Sequence, residues 1–178
     1  MRLSIALTSA TLLAAPAFAV GTEDDSPPVK TETTTSCEEG QIFDEKTKAC
    51  VDADAQSFND DDRYDAVREL AYAGEYDRAL RVIRSADNPR DTRFLTYRGF
   101  LHRQTGQMDR AMAFYAAALK ADPTNILARS YMGMGLAEMG HKAAARAQLD
   151  QIAALGGQGT WAYAALQDVL NGEPSATY

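Results

Sequence analysis

Basic residues are in short supply in this 178-residue chain: 18 Lys and Arg stand against 25 Asp and Glu, a formal charge of −7. General nucleic-acid binding needs a basic footprint and is excluded on that ground. Histidine is scarcer still. His102 and His141 are the only two, neither has a second histidine four residues away, and a structural or exposed role is the reading for both. No Gly-x-Ser-x-Gly is present, and the glycines around Gly156 lack the preceding strand and the lysine of a phosphate cradle. Glu138 has no partner visible in the sequence for a glycosidase-like carboxylate pair. The expectation is a non-enzymatic protein with no cofactor and no metal.

Long apolar runs are also missing. Leu3 to Leu13 comes nearest, but Ser4, Thr8, Ser9 and Thr11 interrupt it, and it falls short of the about 20 residues a membrane span needs. With Arg2 before it, Pro16 ending it and Ala17-Phe18-Ala19 behind, residues 1–19 read as a cleavable secretory signal. Val20 is then the first mature residue, and the product is periplasmic or secreted, with no membrane insertion after cleavage. No cysteine follows the cleavage site, which speaks against a lipid anchor.

Residues 20–36 carry Glu23, Asp24, Asp25, Pro27, Pro28 and threonines from Thr31 to Thr35, with Val29 the one large apolar group after Val20. Such a segment buries too little to offset its ordering entropy and is expected to be an unstructured acidic spacer. Charge is unevenly spread: residues 20–62 hold 13 acids against Lys30, Lys46 and Lys48, whereas 63–178 hold 12 acids and 14 bases.

Cys37 and Cys50 are the only cysteines. In an oxidising compartment an even pair at this spacing reads as one disulfide, closing residues 37–51 into a small hairpin of two short strands. A structural staple is the expectation, a docking knob remains open, and the spacing speaks against a redox pair, which sits as Cys-x-x-Cys. The acids from Asp52 to Asp62 invite a calcium-loop reading, but starting it at Asp52 puts Ser57 where glycine is needed and Arg63 where glutamate is needed. Asn59 and the three aspartates after it fit a helix N-terminus instead.

From Gly74 onward the chain repeats. Gly74 with Ala79, Gly106 with Ala111 and Gly140 with Ala145 share one spacing and recur at intervals of 32 and 34 residues, a period that means stacked supersecondary units. Helical spacing of apolar residues predicts helices over 64–73 and 76–86, then 94–104 and 108–120, then 126–139 and 142–155. Asn88-Pro89 is read as a cap and first turn. A last helix over 161–170, with Ala162, Leu166 and Val169 on one face, is expected to cover the exposed end of the stack.

The second unit carries Leu95, Gly99, Gly106, Ala111, Tyr115, Ala118 and Pro123 in a pattern that resembles the tetratricopeptide repeat family. The third keeps Gly133, Gly140 and Ala145 without the closing proline. The first keeps Gly74, Ala79 and Ala86, with Val67 in place of the first-helix glycine. The resemblance covers about residues 60–155. It implies an all-α fold over 58–172, a right-handed superhelical stack of three helix pairs plus a capping helix, with a short tail over 173–178. It also implies a concave groove, lined by the first helix of each pair, that holds a peptide or protein segment.

The positions that fall on that inner stripe are Tyr64, Arg68 and Tyr72; Arg93, Thr96, Tyr97, Phe100 and Arg103; and Leu127, Ser130, Tyr131, Met134 and Glu138. Tyrosine and arginine are favoured at contact hot spots, the first for area at low entropy cost and the second for two-pronged grip on a carboxylate. The lysine, asparagine and arginine clamp that some members use for a C-terminal carboxylate is not kept, since Tyr64, Tyr97, Leu127 and Tyr131 stand at most of its places. The acidic N-terminal segment is a candidate to visit Arg68, Arg93 and Arg103. The function expected is a scaffold or adaptor for a protein or peptide partner in the cell envelope. Two alternatives stand beside it: an accessory that binds envelope polysaccharide through the disulfide loop, and self-assembly.

Overall fold

The computed structural model describes residues 28–173. The expected signal, the start of the spacer and the last five residues lie outside the described residues. The described chain is mainly helical, with seven α-helices and one two-stranded sheet. None of its helices is long and apolar enough to cross a membrane.

The sheet pairs β1 (Gln41–Asp44) antiparallel with β2 (Ala49–Asp52), Gln41 opposite Asp52 and Asp44 opposite Ala49. Asp44 makes the turn between them. Its carboxylate accepts from the Lys46 N–H at 2.9 Å and the Thr47 hydroxyl at 2.8 Å, and these two bonds, the Lys46 N–H first, hold its carboxyl below the usual range. Cys37 and Cys50 are joined by a disulfide, S–S 2.06 Å, as the spacing predicts.

α1 (Asp60–Tyr72) starts at Asn59, whose side chain accepts from the N–H groups of Asp61 and Asp62 while the Asp62 carboxylate accepts from the Asn59 N–H. This reciprocal capping box satisfies donors that a helix start leaves bare. α2 (Tyr76–Arg84), α3 (Thr92–Gln104), α4 (Met108–Ala121), α5 (Ile126–Glu138), α6 (Lys142–Ala154) and α7 (Trp161–Asn171) follow, close to the bounds that apolar spacing predicts. One start differs. α3 is capped by the Asp91 side chain, which accepts from the Arg93 N–H, and Pro89 lies in the connecting turn ahead of it.

The three turn glycines act alike. Gly74, Gly106 and Gly140 sit at φ +81°, +75° and +80°, and the residue after each donates to a carbonyl five back: Glu75 to Leu70, Gln107 to His102 and His141 to Leu136, all at 2.8 Å. That is the Schellman closure, open to glycine because a Cβ disfavours the left-handed conformation. Ala79, Ala111 and Ala145 are each fully buried where the second helix meets the first. α1 packs on α2, α3 on α4 and α5 on α6, while α1 touches α3, α3 touches α5, and α5 touches α7.

The N-terminal segment and the hairpin are built into the helical body. Arg63, 2 % exposed, donates from Nε to the Ala53 carbonyl at 2.9 Å and from Nη1 to Asp60 and Asp87 at 3.1 and 3.0 Å. Arg78 donates to the carbonyls of Thr33 and Cys37 at 2.6 and 3.0 Å, and Arg81 pairs with Glu39. Ile42, Ala53 and Phe58 share one apolar cluster with Val67, Leu70 and Ile83.

An unstructured spacer is therefore not what residues 28–36 form. Glu69, 5 % exposed, accepts from the N–H and hydroxyl of Thr31 at 2.9 and 2.7 Å and from those of Thr34 at 3.3 and 2.8 Å. Counting apolar groups misses this strap because hydrogen bonds to a buried carboxylate hold it.

Two outcomes follow from these contacts. Arg63→Met should lower the urea unfolding free energy by about 3 kcal/mol, the low end for removing one partner of a buried pair, because Asp87 is free to return to water. Glu69→Ala should leave helical circular dichroism unchanged while the amides of residues 31–36 exchange hydrogen at near-unprotected rates in mass spectrometry.

Candidate functional site: the face of the first helices

Four aromatic rings, one from each of α1, α3, α5 and α7, meet edge to face across the helices. Tyr64 lies 5.5 Å from Tyr97, Tyr97 6.5 Å from Tyr131, and Tyr131 6.2 Å from Trp161, centroid to centroid. Edge-to-face contact is the geometry that ring quadrupoles favour. Phe100 leans in beside them, 6.0 Å from Tyr97 and 5.0 Å from Tyr131, with Tyr76 at 6.3 Å on its other side. The ladder follows from the repeat: Tyr64, Tyr97 and Tyr131 stand 33 and 34 residues apart, so each helix pair sets its ring at the same height.

Guanidiniums lie on these rings. Arg93 Cζ is 4.9 Å from the Tyr64 centroid, and Arg103 Cζ is 5.8 Å from both Phe100 and Tyr131. Neither cation waits for a ligand. Arg93 donates from Nε to Asp91 at 3.1 Å and from Nη1 to Asp61 at 2.8 Å, and these bonds, Asp91 first, raise its pKa further. Arg103 Nη1 donates to Glu138 at 2.7 Å, with the arginine side chain 6 % and the glutamate 48 % exposed. Arg68 is buried and rests 6.0 Å from the Tyr64 ring.

The predicted inner stripe is thus only partly a surface. Tyr97, Tyr131, Met134, Arg68 and Arg103 are buried, as are Thr96, Leu127 and Ser130. The reason is that neighbouring first helices touch one another, so side chains at their seam are enclosed, and α7 closes over α5. Ser130 Oγ donates to the Ala162 carbonyl of α7 at 2.6 Å, and Asn125 donates to Thr96 Oγ1 at 3.3 Å. What solvent reaches on this face is Tyr72, 51 % exposed, together with half-buried Tyr64, Arg93 and Phe100 and exposed Glu138. Trp161, half-buried at the end of the ladder, belongs with them; the sequence reading places it in a capping helix and misses its ring contact. The signal was its position, 30 residues after Tyr131.

Close approach is built in beneath the ladder. Gly99 faces the Tyr115 ring so tightly that a Cβ there would overlap it. Tyr115 is fully enclosed, and among the described residues its hydroxyl meets no partner in hydrogen-bond geometry. Burial pushes this phenol well above its usual range, against the opposing pull of the neighbouring Arg103.

Two clefts lie elsewhere. One of about 420 Å³ runs between the N-terminal strap, the hairpin and α1, lined among others by Phe43, Phe58, Asp62, Asp65 and Arg68. Burial raises the Asp65 carboxyl there. Another of about 470 Å³ lies between the hairpin acids Glu39, Asp52 and Asp54 and the arginines Arg81 and Arg84 of α2. Among the described residues no three His, Cys, Asp or Glu side chains gather as a metal site.

Fold and site together define a mainly helical chain, repeat-patterned and joined to a disulfide-bonded hairpin. No family model, curated protein or solved structure matches it.

The enclosed phenol gives a signed pH dependence. Because its folded pKa is raised, the stability it contributes is present below the ordinary tyrosine value of about 10 and is lost as pH rises above it. Tyr115→Phe should therefore be neutral or stabilising at neutral pH. It should also flatten the decline of urea midpoint measured between about pH 9 and 11, which straddles that ordinary value.

Proposed function

We propose that this chain is a non-enzymatic protein-interaction module of the cell envelope. Its helix pairs are read as three tetratricopeptide-like units, stacked as a right-handed superhelix and closed by α7. Along the first-helix face it holds an extended segment of a partner protein. The observation that carries the reading is the ring ladder at the repeat period, with Tyr64, Phe100 and Trp161 half-exposed along it and Tyr72 standing out beside it. A rigid aromatic row buries contact area without losing much side-chain freedom, which is what peptide recognition needs.

The envelope assignment rests on the apolar N-terminal run with its Ala17-Phe18-Ala19 end and on a disulfide, which persists in oxidising compartments. Recognition through the hairpin alone is less favoured. Its inward edge is engaged by Arg63, Arg78 and Arg81, so it belongs to the helical body and is no separate knob.

Because Arg93 and Arg103 are already paired, the partner's grip on this face is aromatic and apolar before it is ionic. Selection from a displayed library of random peptides should yield binders with micromolar Kd. Tyr72→Ser combined with Phe100→Ser should weaken them at least about ten-fold, the loss of one or two hot-spot rings. Binders that ignore both substitutions, with the fold intact by circular dichroism, would end the reading.

A further inference from the structure

Three guanidiniums and one imidazole gather on the opposite side of α3. Arg98 and His102 are each two residues from Phe100, about 200° round the helix from it. Arg84 ends α2, Arg110 opens α4, and α3 touches both helices. The His102 ring is stacked on Phe114 of α4, centroids 5.3 Å apart and planes 4° from parallel, and Arg98 Cζ stands 5.6 Å from the same ring. Phe114 is thus the fixed platform that carries one cation, Arg98, and one stacked imidazole.

Three arginines here lack the carboxylate that four others hold. Arg63, Arg81, Arg93 and Arg103 each hold a carboxylate. Among the described residues, Arg84, Arg98 and Arg110 have none within ion-pair distance, and Arg110 donates to Gln107 at 2.8 Å instead. The charges that act on Arg98 and His102 are positive as well. Burial, then Arg84, lowers the pKa of Arg98; burial, then Arg110 and Arg98, lowers that of His102. Exposed Arg84 places like charge beside half-buried Arg98, which is unfavourable in the free protein, and in a chain of net charge −7 acids were available to relieve it.

We infer that the Arg84–Arg98–His102–Arg110 side of α2, α3 and α4 is a second docking surface, taking a short acidic peptide segment of a partner protein. Charge complementarity sets the class of occupant: two or three carboxylates opposite planar guanidiniums, which grip them with paired hydrogen bonds. Local surroundings set its length. Arg84 also borders the cleft that holds Glu39, Asp52 and Asp54, and exposed Asp109 adjoins Arg110. A long polyanion such as nucleic acid or a sulfated glycan would run onto those acids, while a short stretch fits between them. The surface is independent of the first-helix face, so either can fail without the other.

The test uses the full chain and a fluorescent hexaglutamate peptide, read by anisotropy at low and at physiological ionic strength. Saturable binding is expected, weaker as salt rises. Arg84→Gln with Arg98→Gln should weaken it at least ten-fold. Lys142→Gln with Arg146→Gln, which removes the same charge from exposed positions on α6, should change it less than two-fold. Equal losses in the two double variants would reduce the effect to net charge and overturn the site, as would absence of saturable binding. Tighter binding of heparin or duplex DNA through the same two arginines would assign the surface to a sulfate or phosphate polyanion and overturn the acidic-peptide reading.

Discussion

A single buried guanidinium ties the described parts of this chain together. Arg63 sits in the first turns of α1, yet it donates to the Ala53 carbonyl just past the hairpin, to Asp60 on its own helix and to Asp87 in the connection between α2 and α3. Asp60 extends the junction. Burial works against its charge, but the N–H groups of Asn88 and Asp87, at 2.8 Å each, and Arg63 together hold its carboxyl below the usual range. A buried charge is costly unless it is paired and hydrogen-bonded. Satisfying this one requires the hairpin, α1 and the start of the second helix pair to stand in one arrangement.

That requirement explains what the hairpin is for. A stack of helix pairs has two open ends, and each must be covered by something that hides apolar surface. α7 does this at one end, with Ala162, Ala165 and Leu166 buried against α5 and α6. At the other end no helix pair precedes α1 among the described residues, and Ile42 of the hairpin, with Ala53 and Phe58 just after it, fills the place. So little apolar area could not hold the cap alone. Polar fixtures complete it: Arg63 donates to the Ala53 carbonyl just past the hairpin, Arg78 to the Thr33 and Cys37 carbonyls before it, Glu69 gathers the threonines, and the Cys37–Cys50 crosslink limits the alternatives open to the unfolded chain.

The helices, their bounds, the glycine closures, the Asn59 cap and the disulfide were legible in the sequence because each depends on neighbours within a turn or two, or on a single pair of cysteines. Most of what was not legible joins residues about thirty apart. Arg93 with Asp61 and Arg103 with Glu138 are pairs between consecutive helix pairs, and no local pattern announces that a groove arginine already has its carboxylate. Helical phase marks Tyr97 and Tyr131 as inner-wall contacts, whereas both are buried. Their burial depends on how near the adjacent first helix comes, which helical periodicity does not encode. The Thr31–Thr34 strap escaped for a different reason: composition weighs apolar burial and is blind to a run of hydroxyls that a distant carboxylate can collect.

Charge placement gives the last step. The N-terminal acids looked like a natural tenant for Arg68, Arg93 and Arg103, yet Arg93 and Arg103 are already neutralised by Asp91, Asp61 and Glu138, and Arg68 lies buried against Tyr64. A carboxylate arriving at Arg93 or Arg103 would have to displace an acid that the helices already hold in place, and the exchange gains little, since one ion pair replaces another. No such exchange is required at Arg84, Arg98 and Arg110, none of which holds a carboxylate at ion-pair distance among the described residues. The two sides of α3 therefore offer different chemistry: rings with their charges already matched on one, charges still to be matched on the other. On the two readings proposed above, recognition by shape falls to the first side and recognition by charge to the second, and ionic strength separates them because it weakens only the latter.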